Sequence, residues 1–167
     1  RVPLRLLESD WAKGQRLLLL EPRRVAAKLA ATFMADQLNE RVGETVGYRM
    51  RGDSQIGPHT RLEVVTQGVL TRMLQEDPLL EGVAGIIFDE FHERSIEADL
   101  GLALVLDVQE SVRDDLRLLV MSATLDVTAL TRVLGSETPV IESQGRAFSV
   151  ETHYRPLATS ESLTAAA

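Results

Sequence analysis

Residues 86–92 read Ile86-Ile87-Phe88-Asp89-Glu90-Phe91-His92. Three apolar residues run straight into two adjacent carboxylates. A short apolar run bounded by polar residues fits a strand buried on both faces. Such strands belong to parallel sheets with helices packed on either side.

The same grammar repeats outward. Upstream, Leu17-Leu18-Leu19-Leu20 is a buried run closed by Glu21-Pro22, and proline suits the start of a helix. Val25, Leu29, Phe33 or Met34, and Leu38 then recur at helical spacing. Gly43 and Gly47 mark a loop. Thr45 to Arg51 and Arg61-Leu62-Glu63-Val64-Val65 follow as extended stretches, the second with alternating character. Thr66 ends it, and Val69, Leu70, Met73 and Leu74 give a helix face that Pro78 stops. Downstream, Ser95 is placed to cap a helix through Leu100, Ala103, Leu104 and Val108. Leu116 to Met121 is a further strand, Ser122-Ala123-Thr124 its exit, and Asp126 a cap for a helix through Leu130 and Leu134. Val140-Ile141 and Val150 to Tyr154 read as extended. Strands alternating with helices predict an α/β fold with a mostly parallel sheet.

The 167 residues suffice for one domain, and 44% hydrophobic with 26% charged residues is ordinary for a globular fold. With no cysteine, a disulfide framework, a thiolate nucleophile and cysteine-ligated metal are excluded. No apolar run approaches the roughly 18–20 residues that span a bilayer. The start, Arg1-Val2-Pro3-Leu4-Arg5, lacks the apolar core of a signal peptide, so the expected setting is cytoplasmic, with no membrane partner. The first 83 residues hold 12 Lys+Arg against 11 Asp+Glu, and residues 84–167 hold 6 against 14. A net charge of −7 argues against holding nucleic acid by bulk charge, though not against a local basic track. Sixteen of the 18 basic residues are arginine, which suits bidentate phosphate contacts. A GC-rich genome gives the same bias.

In open α/β sheets ligands bind beyond the carboxyl ends of the strands. Four polar groups share that address: Glu21-Pro22-Arg23-Arg24, Thr66-Gln67-Gly68, Asp89-Glu90-Phe91-His92 and Ser122-Ala123-Thr124. The paired charges of Asp89 and Glu90 would repel unless a cation compensates, and Mg²⁺ favours such oxygen ligands. A solvated acidic pair favoured by a helix dipole is the plainer alternative. His92 has no second histidine at ligand spacing, so a hydrogen-bonding relay fits it better than zinc. Arg23 and Arg24 at a helix start suit phosphate, or else an ion pair with Glu21 or another carboxylate. Thr66 and Gly68 offer a hydroxyl and backbone donors at a second helix start, where Thr66 could equally be a simple cap. Trp11, Tyr48 and Tyr154 are too few and scattered for a base-stacking platform.

As a set these residues resemble the DEAH-box helicases of superfamily two. Asp89-Glu90-Phe91-His92 resembles their Walker B motif, with Phe91 in place of alanine. Ser122-Ala123-Thr124 resembles motif three, Pro22 to Ala27 motif Ia, and Thr66 to Leu70 motif Ib. Phe91 followed by Glu93-Arg94-Ser95 looks most like the bacterial HrpB subfamily. The resemblance implies a RecA-like three-layer sandwich over residues 1–146, truncated at its N-terminus. Residues 147–167 would be an extended linker toward a second RecA-like domain. It implies an ATP-dependent RNA helicase with ATP and Mg²⁺ as cofactors and single-stranded RNA as partner.

By the same resemblance Asp89 and Glu90 would hold Mg²⁺–ATP, partly through water, and Glu90 would orient the hydrolytic water. His92 would contact the second domain, and Ser122 and Thr124 would couple hydrolysis to strand movement. Arg23, Arg24, Thr66 and Gly68 would grip the nucleic-acid backbone. Gln67 departs from the acidic residue common there, so its side chain takes no role. The chain contains no G-x-x-x-x-G-K-[ST] phosphate loop, so it is expected to begin just after one and to be inactive by itself. The rival readings are a DNA translocase of the same fold and a non-catalytic binding module.

Overall fold

The computed structural model describes residues 1–123 and 127–143, with the side chains of Val127 and Ala129 left aside. Asp126, the expected linker over residues 147–167 and the expected strand from Val150 to Tyr154 therefore lie outside the described residues. Contacts divide the chain into a compact unit, Arg1–Ser136, and a second, Glu137–Ala167. Of the second unit only residues 137–143 are described. No strand is assigned there, and Ile141 is almost fully exposed.

In chain order the elements are α1 (Val2–Leu7), β1 (Arg16–Glu21), α2 (Arg24–Gln37), β2 (Val46–Met50), β3 (Asp53–Gln55) and β4 (Leu62–Thr66). Then come α3 (Gln67–Glu76), β5 (Val83–Phe88), α4 (Ile96–Ser111), β6 (Arg117–Val120) and α5 (Val127–Leu134). Short 3₁₀ turns occupy Asp10–Ala12 and Phe91–Glu93. The six strands form one sheet in the order β3-β2-β4-β1-β5-β6. All neighbours are parallel except β3, which returns antiparallel on β2.

The four leucines of β1 show why the sheet is covered twice. Successive strand residues point to opposite faces. Leu17 and Leu19 join a core with Ala27, Ala31, Met34 and Ala35 of α2. Leu18 and Leu20 join the other, with Leu70, Met73 and Leu74 of α3 and Ala98, Leu102 and Val105 of α4. The chain is thus a three-layer α/β sandwich with β1 at its centre. Four parallel strands end on one edge, and Glu21, Thr66, Asp89 and Met121 lie at their tips.

Four sequence expectations change. On α2 the large residues face outward: Val25, Leu29 and Phe33 are 72%, 64% and 60% exposed. The sheet side is built from alanines and Met34, because small side chains let the helix axis lie close to the strands. On α4 the buried positions are Ala98, Gly101, Leu102 and Val105, while Leu104 and Val108 are partly buried and Leu100 and Ala103 exposed. Gly47 lies inside β2, where a Cβ would come within 2.5 Å of the Gln55 carbonyl oxygen, so the β3 return requires glycine there. β4 does not alternate but is buried along both faces, Glu63 included.

Candidate functional site

The loop after β5 is held from three sides. The Asp89 N–H donates to the Leu20 carbonyl at 3.0 Å, fixing it to the tip of β1. The Phe91 N–H donates to the Met121 carbonyl at 3.1 Å, fixing it to the exit of β6. The Glu93 N–H closes the 3₁₀ turn onto the Glu90 carbonyl at 2.9 Å. Between these ties Glu90 takes a left-handed backbone, φ 51° and ψ 34°, and the Asp89 carboxylate accepts its N–H at 2.9 Å. A non-glycine residue in that region stores about 1–3 kcal/mol, the kind of strain that gathers at functional sites.

The pair sequence reading singled out is neither deeply buried nor turned from the Ser-Ala-Thr corner. The Glu90 side chain is 48% exposed, with Oε2 3.4 Å from His92 Nδ1. The same His92 nitrogen lies 3.4 Å from the Ala123 N–H, which donates to it. When it accepts that hydrogen bond, Nδ1 carries no proton to offer Glu90. Ser122 Oγ is buried without a hydrogen-bond partner among the described residues, a costly condition for a hydroxyl. Thr124 lies outside the described residues.

Beside Glu90 opens a cleft of about 530 Å³, lined among others by Arg23, Arg24, Thr66, Gly68, Glu93 and Arg94. So the sequence-predicted backbone-gripping residues share one depression with Glu90. Arg23 occupies the N-cap of α2 but makes no capping bond. Its guanidinium instead forms a two-pronged pair with Glu93, Nε–Oε2 3.1 Å and Nη2–Oε1 3.0 Å. The carboxylate alternative to a phosphate contact therefore holds for Arg23 here, with Glu93 rather than Glu21 as partner. Arg24 Nη1 donates to the Arg51 carbonyl at 2.6 Å. Thr66 is the N-cap of α3, yet its hydroxyl makes no capping bond. Ser95 caps α4 as expected, accepting from the Ala98 N–H at 3.0 Å, and its hydroxyl donates to Gln67 Oε1 at 2.9 Å.

Sequence reading placed Glu21 at the shared address but gave it no role of its own. It sits on β1 directly after the leucine run, and it is 6% exposed. Burial first, then the charges of Asp89 and Glu90 and a hydrogen bond to Asp89, push its carboxyl up to about 7. Its position at a strand tip, the address shared with Asp89, was the available signal.

Similarity to known proteins bears on this arrangement. No family model matches the chain. The chain is 58% identical to the ATP-dependent RNA helicase HrpB of Escherichia coli over 156 residues, 93% of this chain and 19% of that protein. It is 36% identical to an HrpA homolog of Haemophilus influenzae over 94% of this chain and 12% of the relative. A crystal structure of the E. coli DEAH/RHA helicase HrpB superposes with a TM-score of 0.86 at 56% identity, covering 97% of this chain and 20% of that one. Over nearly its whole length this chain is similar to one part of a DEAH/RHA helicase. Its sheet is the RecA-like sheet of that HrpB structure, and it spans about a fifth of the HrpB length.

Phe91, the departure from the motif the loop resembles, has a structural explanation. The ring is buried and meets Phe88 edge to face, centroids 6.0 Å apart and planes at 89°. It anchors the carboxylate loop to the core beneath it. No described helix is long and apolar enough to cross a membrane.

Proposed function

We propose that this chain carries part of the ATP-hydrolysing and strand-gripping machinery of an ATP-dependent RNA helicase that acts in the cytoplasm, and that it is inactive by itself. Residues 1–146 would be its first RecA-like domain and 147–167 the linker to a second one. One observation carries the reading. The loops after four parallel strands meet on a single edge, and the Asp89–His92 loop is tied there to residues 121–123.

The donor set fits a magnesium-bound nucleotide. Asp89 and Glu90 offer hard oxygen ligands, and the carboxylates crowding Glu21 leave the edge short of positive charge. Among the described residues no three such side chains form a metal cage. That suits an ion held by one or two carboxylates, waters and phosphate oxygens. When bound, Mg²⁺–ATP supplies the phosphoanhydride that is cleaved. Asp89 would hold the metal, partly through water. Glu90, the exposed carboxylate beside the cleft, orients the attacking water and receives its proton. His92, with Ser122 and Thr124, passes the state of the nucleotide to the second domain. The unpartnered Ser122 hydroxyl supports a corner completed by another group.

Arg23, Arg24, Thr66 and Gly68 grip phosphates and sugars of single-stranded RNA, so sequence preference is low. With a net charge of −7, much of the strand affinity comes from elsewhere in the whole protein. The test is ATP hydrolysis by the full-length protein with single-stranded RNA and with DNA of equal length. Stimulation by RNA is expected, and Arg24→Gln should weaken RNA binding and flatten its salt dependence by about 0.7 in log–log slope. Stimulation by DNA alone, or no hydrolysis, overturns the reading.

A further inference from the structure

The Arg23–Glu93 pair joins two parts of the edge that the proposed function assigns to different tasks. Arg23 belongs to the segment that grips the strand. Glu93 is the last residue of the 3₁₀ turn that Glu90 begins, and its N–H bonds the Glu90 carbonyl at 2.9 Å. A guanidinium held by two carboxylate oxygens is in the state it would adopt on a phosphate. Glu93 fills the Nε–Nη2 edge of the guanidinium, so a phosphate seeking that edge competes with it. The Arg23 side chain is 72% exposed and Glu93 33% exposed, so incoming phosphate reaches the pair without unfolding anything.

We propose that Glu93 is an internal stand-in for phosphate. It occupies Arg23 while no strand is bound, and the strand displaces it, releasing the turn that carries Glu90. This rests on the reading of the edge as an RNA-gripping, ATP-hydrolysing site. Glu93 is then a positioning residue: it touches neither RNA nor nucleotide, but its tie to Arg23 reinforces the backbone bonds that hold the Glu90 turn in the strand-free state. Linkage makes the effect reciprocal. A strand that frees Glu93 favours the released turn, and a released turn favours the strand. Gln67 and Ser95 line the same cleft, and their 2.9 Å hydrogen bond joins the second gripping segment to the start of α4.

The sign of the expected effect is unusual, since deleting an ion pair should improve binding. Exposed pairs are weak, so Glu93→Gln should tighten RNA binding by about two- to five-fold. Salt dependence should steepen by about 0.7 in log–log slope, because Arg23 then meets phosphate without first giving up a carboxylate. Glu93→Asp, one methylene shorter, should fall between wild type and Glu93→Gln. In an Arg23→Gln background, Glu93→Gln should change RNA affinity by less than about 1.5-fold.

The measurement is anisotropy of a labelled single-stranded oligouridylate with the full-length protein, alongside ATP hydrolysis with and without RNA. Glu93→Gln should raise the RNA-free rate and leave the RNA-saturated rate within twofold of wild type, because the tie is absent from both saturated proteins. A merely structural role would lower the saturated rate as well. Unchanged or weaker RNA binding by Glu93→Gln, or a full effect persisting in the Arg23→Gln background, overturns the proposal while wild type still binds and is stimulated. If wild type shows neither RNA binding nor RNA-stimulated hydrolysis, the underlying function fails, and this proposal with it.

Discussion

Two glutamates are buried on adjacent strands, and they are buried in opposite ways. Glu63 on β4 is 1% exposed, with Arg49 Nε at 2.6 Å and Arg16 Nη1 at 3.4 Å. Glu21 on β1 is 6% exposed, and its neighbours are Asp89, Glu90 and Glu93. One carboxylate is met by two cations, the other by three anions. A compensated buried charge is a structural device; a like-charge cluster at a strand tip lifts the pKa of the group it surrounds. Burial says little about a carboxylate until the signs of its neighbours are known.

Substitutions at the two positions should therefore act with opposite sign. Glu63→Gln removes the charge that two partly exposed arginines meet, and urea unfolding of this chain should show a loss of about 2 kcal/mol. Glu21→Gln should stabilise instead, in a pH-dependent way. The Glu21 carboxyl sits at about 7 when folded against an ordinary value of 4.5, so the folded state holds the extra proton between those values. Its contribution is fully present below pH 4.5 and is lost as pH rises through 7. At pH 8 the Gln variant should exceed wild type by about 2–3 kcal/mol, and at pH 4 the two should coincide. A pH-independent difference would remove Glu21 from the cluster. The smallest effect belongs beyond the β5 tip. Ser95→Ala removes the α4 cap and the bond to Gln67, for a loss of about 1 kcal/mol that leaves the Glu21 pH profile in place.

Much of this arrangement is legible in the sequence, because strand tips announce themselves. Apolar runs ending abruptly in Glu21, Thr66 and Asp89 locate β1, β4 and β5, and Ser95 marks the start of α4. Helix faces are harder. On α3 the periodic large residues are the buried ones, but on α2 the helix lies close to the sheet and buries alanines. Spacing by itself cannot tell a stripe of Val25, Leu29 and Phe33 from one of Ala27, Ala31 and Ala35. Glu63 is hidden because its partners lie on other strands, 47 residues away in the case of Arg16. The Arg23–Glu93 pair spans 70 residues, so only the folded edge brings it together. Identity of a site residue follows from its position on a strand; what compensates it does not.

The central claim is that Glu90, the exposed carboxylate of the edge, handles the hydrolytic water. Its most direct test is Glu90→Gln in the full-length protein, measuring ATP binding and single-turnover hydrolysis on the same preparation. Hydrolysis should fall by about 10²–10⁴-fold with ATP binding retained. Hydrolysis at the wild-type rate in a variant that binds ATP normally would contradict the account.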